Sequence, residues 1–141
     1  IDGYLANFSG VKKYMTEIVE FAKEHGYVQT LFGRRRYVPE INMKNKQVQA
    51  FGKRICLNTP IQGTAADLIK IAMIRVTNEL KKQKLEAKLV LQVHDELIVE
   101  APDCEVETVK KILKTEMENA ASLSVPLTAD VNSGNDWFDA H

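Results

Sequence analysis

The sequence predicts an α+β fold: a small antiparallel sheet with a central β-hairpin, and helices packed on one face of it. Two observations carry this prediction. In Leu89-Val-Leu-Gln-Val-His94-Asp95-Glu96-Leu-Ile-Val-Glu100, two runs of aliphatic and β-branched residues flank a short polar tip, the pattern of paired, half-buried strands. Elsewhere apolar residues recur every three or four positions, most cleanly along Ala65, Leu68, Ile69, Ala72, Met73, Val76 and Leu80, as the buried stripe of a helix requires. A chain of 141 residues with 45% hydrophobic content has the length of one domain and enough apolar surface for a core.

The elements follow in order. A first amphipathic helix is predicted from about Val11 to His25, with Ser9 as N-cap, a stripe of Val11, Tyr14, Ile18, Phe21 and Ala22, and Gly26 as terminator. Tyr27-Val-Gln-Thr-Leu-Phe32 is rich in strand formers. Gly33, Arg34-Arg35-Arg36 and Tyr37-Val38-Pro39 follow, so this region reads as a short hairpin or extended loop with a cationic tip. Phe32 and Tyr37 are assigned to the core rather than to base stacking. A second helix spans about Asn45 to Leu57. Pro60 is expected to lie outside it, because a proline ring clashes with the carbonyl four residues back and offers no donor. Thr59-Pro60-Ile61-Gln62 instead fits a fresh start, with Thr59 as N-cap and Gln62 as its reciprocal partner. A third helix follows, then the hairpin at about Lys88–Glu100. A fourth helix is expected from about Asp103 to Ala121, buried through Val106, Val109, Leu113 and Met117, with Asp103, Glu105 and Glu107 near its positive end. Pro126–Val131 reads as a last strand pairing with the hairpin. Asn132-Ser-Gly-Asn reads as a turn, and Trp137 as an anchor for the tail.

The net charge is zero, but residues 1–60 carry +5 and residues 61–141 carry −5. That split separates a polyanion-facing part from a cation-binding part; scattered, solvated charges would give the same totals. Cys56 and Cys104 lie far apart and lack metal-ligand spacing, which favours a reduced, cytoplasmic compartment. No run approaches the length of a membrane span, and no signal peptide is visible. The chain starts at Ile1, and Tyr4, Leu5 and Phe8 already fall at helical spacing, so it is expected to be a fragment or a processed piece.

Asp95 and Glu96 at a hairpin tip sit on a rigid mount, as a divalent ion with hard oxygen ligands and little geometric slack demands. From these twelve residues alone, a pair of polar turn residues is an equal reading. The surroundings decide. Val93-His94-Asp95-Glu96 between apolar strands resembles the palm-domain metal motif of family A DNA polymerases, of the bacterial DNA polymerase I type. Thr30-Leu-Phe-Gly-Arg-Arg-Arg-Tyr37 resembles that family's basic loop. Arg54 together with Asn58-Thr-Pro-Ile-Gln62-Gly-Thr-Ala-Ala-Asp67 resembles the segment after it, and Ser133-Gly-Asn-Asp-Trp137 its C-terminus. Four motifs in order are far more specific than a His-Asp-Glu triplet.

The resemblance implies a partial polymerase palm serving DNA-directed nucleotidyl transfer, in which a primer 3′-hydroxyl attacks a dNTP by a two-metal (Mg²⁺) mechanism. It implies that Asp95 binds metal, with Glu96 beside it at the catalytic centre. Arg54, Asn58, Gln62 and His94 would line the minor groove of the primer–template duplex, where purine N3 and pyrimidine O2 recur in every correct pair. Without the resemblance, each of these four has a bland role as a cap or turn residue. Arg34, Arg35 and Arg36 are candidate phosphate contacts, at least one of them expected to be structural instead. The implied partners are primer–template DNA, dNTP and an upstream polypeptide (fingers, thumb and the rest of the palm), in a bacterial cytoplasm and at the nucleoid, with no membrane.

Nothing here matches the family's upstream Asp-Tyr-Ser-Gln-Ile-Glu-like motif or its fingers helix. Residues 1–141 therefore read as a single partial domain, the C-terminal palm segment following the fingers helix. The isolated chain is expected to be inactive, because the second metal-binding carboxylate is missing. A non-enzymatic nucleic-acid-binding module is the alternative.

Overall fold

The computed structural model describes residues 7–140, which fall into two compact units divided between Ala65 and Ala66. Tyr4 and Leu5, cited above for helical spacing, lie outside the described residues.

In the first unit, α1 (Ser9–His25) buries Val19 and Ala22. Ser9 is not its N-cap. Phe8 holds that position without a side-chain hydrogen bond, and Ser9 is already helical. The C-terminus forms as predicted: Gly26 is left-handed (φ +78°) and its N–H donates to Ala22 O at 2.8 Å, a conformation glycine adopts without a Cβ penalty. Strands β1 (Tyr27–Gln29) and β2 (Arg35–Tyr37) pair antiparallel with Val28 opposite Arg36. Each is three residues long, so the hairpin buries little. Val28 points into the core, whereas Tyr37 is 70% exposed and Phe32 43% exposed, which corrects their assignment as core residues. Tyr37 instead packs edge-on against Tyr27, its cross-strand neighbour, with 6.0 Å between ring centroids. A 3₁₀ turn, Pro39–Asn42, then buries Ile41.

Asn45 caps the long helix α2 (Lys46–Lys82), its Oδ1 accepting from the Gln47 and Val48 amides at 2.9 and 3.3 Å. Gly52 lies where the 3₁₀ turn presses on α2; a Cβ there would stand 2.9 Å from the Ile41 nitrogen. Val19, Ala22, Val28, Val38, Ile41, Ile55 and Cys56 form this unit's core.

The predicted break at Thr59–Pro60 does not occur: α2 continues through Pro60. Local chemistry is overridden by packing on both sides of the proline. Ile55 and Cys56 are buried before it, and Ala72, Val76 and Leu80 after it. An interior proline costs about 3 kcal/mol, which burial of several aliphatic side chains at about 1.5–3 kcal/mol each offsets. The capping box drawn for Thr59 and Gln62 is therefore absent, and the Thr59 hydroxyl accepts from Arg36 Nη1 at 3.4 Å instead.

In the second unit, β3 (Lys88–Val93) and β4 (Glu96–Glu100) form the predicted hairpin, with a bulge at Val90 between the Leu89–Val99 and Leu91–Ile98 pairs. The α+β class holds, but the strands form two separate two-stranded sheets rather than one. Pro126–Val131 is not a strand. Pro126 has no N–H for a ladder, and the Ala129 N–H is taken by Glu118 Oε1 at 3.2 Å. Val131 still packs against the core of Val76, Leu80, Ala87, Val109, Ile112 and Leu113.

The fourth predicted helix starts as a 3₁₀ turn, Asp103–Glu105, and becomes α3 only at Val106–Glu118. Glu105 stands at the N-terminus of α3, as expected, and has a second role. Its carboxylate accepts from the Glu86 and Ala87 amides, both at 3.0 Å, tying α3 to the entry of β3. Arg75 of α2 holds the other end of α3, donating to Glu116 Oε2 and Asn119 O at 2.7 Å each. Trp137 is not a buried anchor; it opens a short helical turn, α4 (Trp137–Ala140), and is 47% exposed.

Candidate nucleic-acid interface

Arg54, Asn58 and Gln62 occur at i, i+4 and i+8 on α2, so they line one stripe of the helix. All three are exposed, while Ile55 and Cys56 on the opposite side enter the core. Helical periodicity alone thus separates a core-facing set from a solvent-facing set of hydrogen-bond donors. The Arg54 guanidinium lies 5.8 Å from the ring centroid of Phe51, one turn earlier, which restrains a long side chain at modest entropic cost. The continuity of α2 through Pro60 matters here. Had the helix restarted at Thr59, Gln62 would not share a stripe with Arg54.

In the other unit, the pairing of Val93 with Glu96 leaves His94 and Asp95 as the two loop residues of the β3–β4 hairpin. Both are exposed, and Glu96 is half-buried as the first residue of β4. His94 has φ +51°. In two-residue hairpin loops, a positive φ at the first position normally belongs to glycine; for another L-residue it costs about 1–2 kcal/mol. Backbone strain of this kind clusters at active sites and ligand clamps, although Lys84, at φ +56°, shares the conformation. Gln92 Nε2 donates to the His94 carbonyl and helps to hold this conformation. The bulge at Val90 interrupts the ladder below the three residue pairs nearest the tip.

The structure thus brings Arg54, Asn58 and Gln62 onto one exposed stripe in the first unit, which the helix break expected at Thr59 would have prevented, and it sets His94, Asp95 and Glu96 at the hairpin tip in the second. The arginine triplet divides. Arg34 Nη2 donates to Gly63 O at 3.0 Å, the Arg35 guanidinium lies 4.5 Å above the Tyr27 ring, and Arg36 reaches Thr59. Arg35 and Arg36 form no ion pair with a carboxylate among the described residues. Gln92, Thr30 and Gly63 were not singled out in advance. A glycine inside a helix is the signal that could have found Gly63, as it could Gly52.

Among the described residues, no three His, Cys, Asp or Glu side chains converge as a metal site. Asp95 is a hard oxygen donor in the open, suited to a divalent ion but only one ligand of the several such an ion takes. No helix among the described residues is long and apolar enough to cross a membrane.

Comparison with known proteins bears directly on this geometry. Residues 1–139 match the family model described as DNA polymerase family A. The chain is 52% identical over 140 residues to DNA polymerase I of Bacillus subtilis (strain 168), covering 99% of this chain and 16% of that protein. It is 46% identical over 139 residues to DNA polymerase I of Caldicellulosiruptor bescii, again covering 99% and 16%. Among solved structures, it superposes with a TM-score of 0.94 and 42% identity on the POL domain of Pol1 from M. smegmatis, in complex with DNA primer-template and dNTP, covering 97% of this chain and 24% of that one. The chain therefore spans about one sixth of the length of these curated relatives.

Proposed function

The chain belongs to DNA polymerase family A, and from that premise we propose that it is the C-terminal palm segment of a DNA-directed DNA polymerase. In this reading it acts with an upstream polypeptide on primer–template DNA and a dNTP, in a bacterial cytoplasm at the nucleoid. The observation that carries the reading is the exposed stripe of Arg54, Asn58 and Gln62. A template-directed enzyme must test the shape of a base pair while ignoring its sequence. Donors facing the minor groove do this, because N3 and O2 acceptors recur in all correct pairs. His94, on its strained tip, is a fourth donor of the same kind.

Asp95 fits the role of a carboxylate ligand for Mg²⁺, being exposed and rigidly mounted. A divalent ion there would lower the cost of deprotonating the primer 3′-hydroxyl and stabilise charge on the leaving pyrophosphate. The chain's own contribution is to orient. Asp95 offers the oxygen, Glu96 begins the strand that fixes it, and Arg35 and Arg36 supply cations for phosphates. The second carboxylate of a two-metal site has to come from the upstream polypeptide. A strand added there would also pair with an edge that the two-stranded β3–β4 sheet leaves open among the described residues.

The test uses a polymerase polypeptide that contains these residues. Asp95→Ala should abolish primer extension and leave duplex affinity unchanged. Arg54→Ala should weaken matched primer ends more than mismatched ones. Full extension by the Asp95→Ala variant would refute the catalytic assignment.

A further inference from the structure

We propose that Arg34, with Thr30, is a positioning latch for the turn of α2 that carries Gln62, so that minor-groove reading depends on a residue that does not itself touch DNA. The inference rests on the interface reading above and assigns it a new part. Its starting point is Pro60. A proline gives no N–H to the carbonyl four residues back, so the helix loses one of its own ties at this turn. The turn is held from outside instead. Three hydrogen bonds from residues 31–36 land on it: Leu31 N–H to Thr64 Oγ1 at 2.9 Å, Arg34 Nη2 to Gly63 O at 3.0 Å and Arg36 Nη1 to Thr59 Oγ1 at 3.4 Å. The Thr64 hydroxyl in turn donates to Pro60 O.

The hairpin turn is built to stay there. Thr30 is buried, its Oγ1 accepts from the Arg34 N–H at 3.2 Å, and its N–H donates to Arg34 O at 2.9 Å. Gly63 makes the approach possible, since a Cβ at that position would stand 2.7 Å from Thr30 Cγ2 and 3.4 Å from Arg34 Nη2. Gln62 is the residue before Gly63, and Asn58 lies one turn earlier. Fixing the Gly63 carbonyl therefore fixes the backbone from which Gln62 projects. Arg34 is thereby separated from Arg35 and Arg36, which remain the candidates for phosphate contact.

Two measurements test the latch with Arg34→Gln and Arg34→Lys. In the 141-residue chain, amide hydrogen exchange at Leu31 and across residues 61–66 should rise about tenfold or more in Arg34→Gln. Exchange equal to the parent there overturns the latch. In a family A polymerase polypeptide containing this segment, the preference for extending matched over mismatched primer ends should fall about tenfold, the scale expected when a contacting group is slightly misplaced. The salt dependence of DNA affinity should stay the same, and Arg34→Lys should recover much of the preference. A salt slope reduced by about 0.9 with the preference intact marks a phosphate contact and overturns the proposal. Arg54→Ala is run in parallel. Loss of preference in Arg54→Ala but not in Arg34→Gln sinks the latch alone, whereas no loss in either sinks the interface reading and the latch with it.

Discussion

His94 sits at φ +51° in a two-residue loop where glycine is the usual occupant, and that strain can be measured. Removing the Cβ relieves about 1–2 kcal/mol, while glycine's greater freedom in the unfolded chain returns about 0.5–1 kcal/mol. His94→Gly should therefore be about 1 kcal/mol more stable than His94→Ala in urea denaturation. Equal stabilities would mean that the loop relaxes and the strain is not held. The two cysteines make a contrasting pair. Cys104 is exposed and Cys56 is fully buried. Burial pushes the Cys56 thiol above its ordinary pKa, and the nearby Glu40 carboxylate adds to the effect. At pH 8, a thiol-specific reagent should therefore label Cys104 in the native chain, and Cys56 only after denaturation. The linkage has a definite sign. The folded chain keeps a proton that the unfolded chain releases, so this contribution is present below the ordinary thiol value and is lost as pH rises past it. A Cys56→Ser variant should show less of that alkaline loss than the parent in chemical denaturation at pH 8 and pH 10.

Pro60 inside α2 shows how an element's boundaries are settled by what it packs against. Read locally, Thr59-Pro60 with Gln62 three residues after Thr59 is a helix start, and the same atoms would serve one. What the local pattern does not contain is the tertiary packing on either side of the proline. Ile55 and Cys56 belong to one apolar cluster and Val76 and Leu80 to another, and a single helix serves both. Pro60→Ala should restore a backbone donor worth up to about 3 kcal/mol, less the packing of a buried ring and the stiffness proline gives the unfolded chain. A net gain of about 1 kcal/mol, seen as a higher melting temperature, is expected; a lower one would show that the latch on this turn depends on the proline. The hairpin of residues 88–100 was legible because alternation and tip chemistry are local. The strand expected at Pro126–Val131 was misread because its apolar pattern serves packing without a ladder: Val131 contacts the core while the Ala129 amide goes to a side chain. Phe32 and Tyr37 were misread because hydrophobicity cannot say that Phe32 falls in the connecting turn, or that Tyr37 ends a three-residue strand exposed along its whole length.

The charge division, +5 in residues 1–60 and −5 in residues 61–141, follows the same boundary as the two compact units to within a few residues. Arginines 35, 36 and 54 lie in the cationic unit, and Asp95 in the anionic one. This organisation could be read in the sequence because charge totals and motif order survive without knowledge of packing. The positions of Thr30, Gly63 and Gln92 could not, since each matters only through a contact made by the folded chain. The same organisation defines what residues 1–141 are able to do alone. Asp95 is a single carboxylate, and no convergent set of His, Cys, Asp or Glu exists among the described residues to join it. Two ions about 4 Å apart need ligands from both sides of the pair, and one acid on one hairpin tip spans only one. The chain alone should therefore give no primer extension above background with Mg²⁺ and all four dNTPs, while retaining salt-sensitive affinity for duplex DNA through Arg35, Arg36 and Arg54. Supplying the upstream polypeptide in trans should restore extension and raise the melting temperature of the segment. Extension by the 141-residue chain on its own would show that Asp95 is not half of a divided metal site, and an unchanged melting temperature on mixing would show that the open β3–β4 sheet is not completed by that partner.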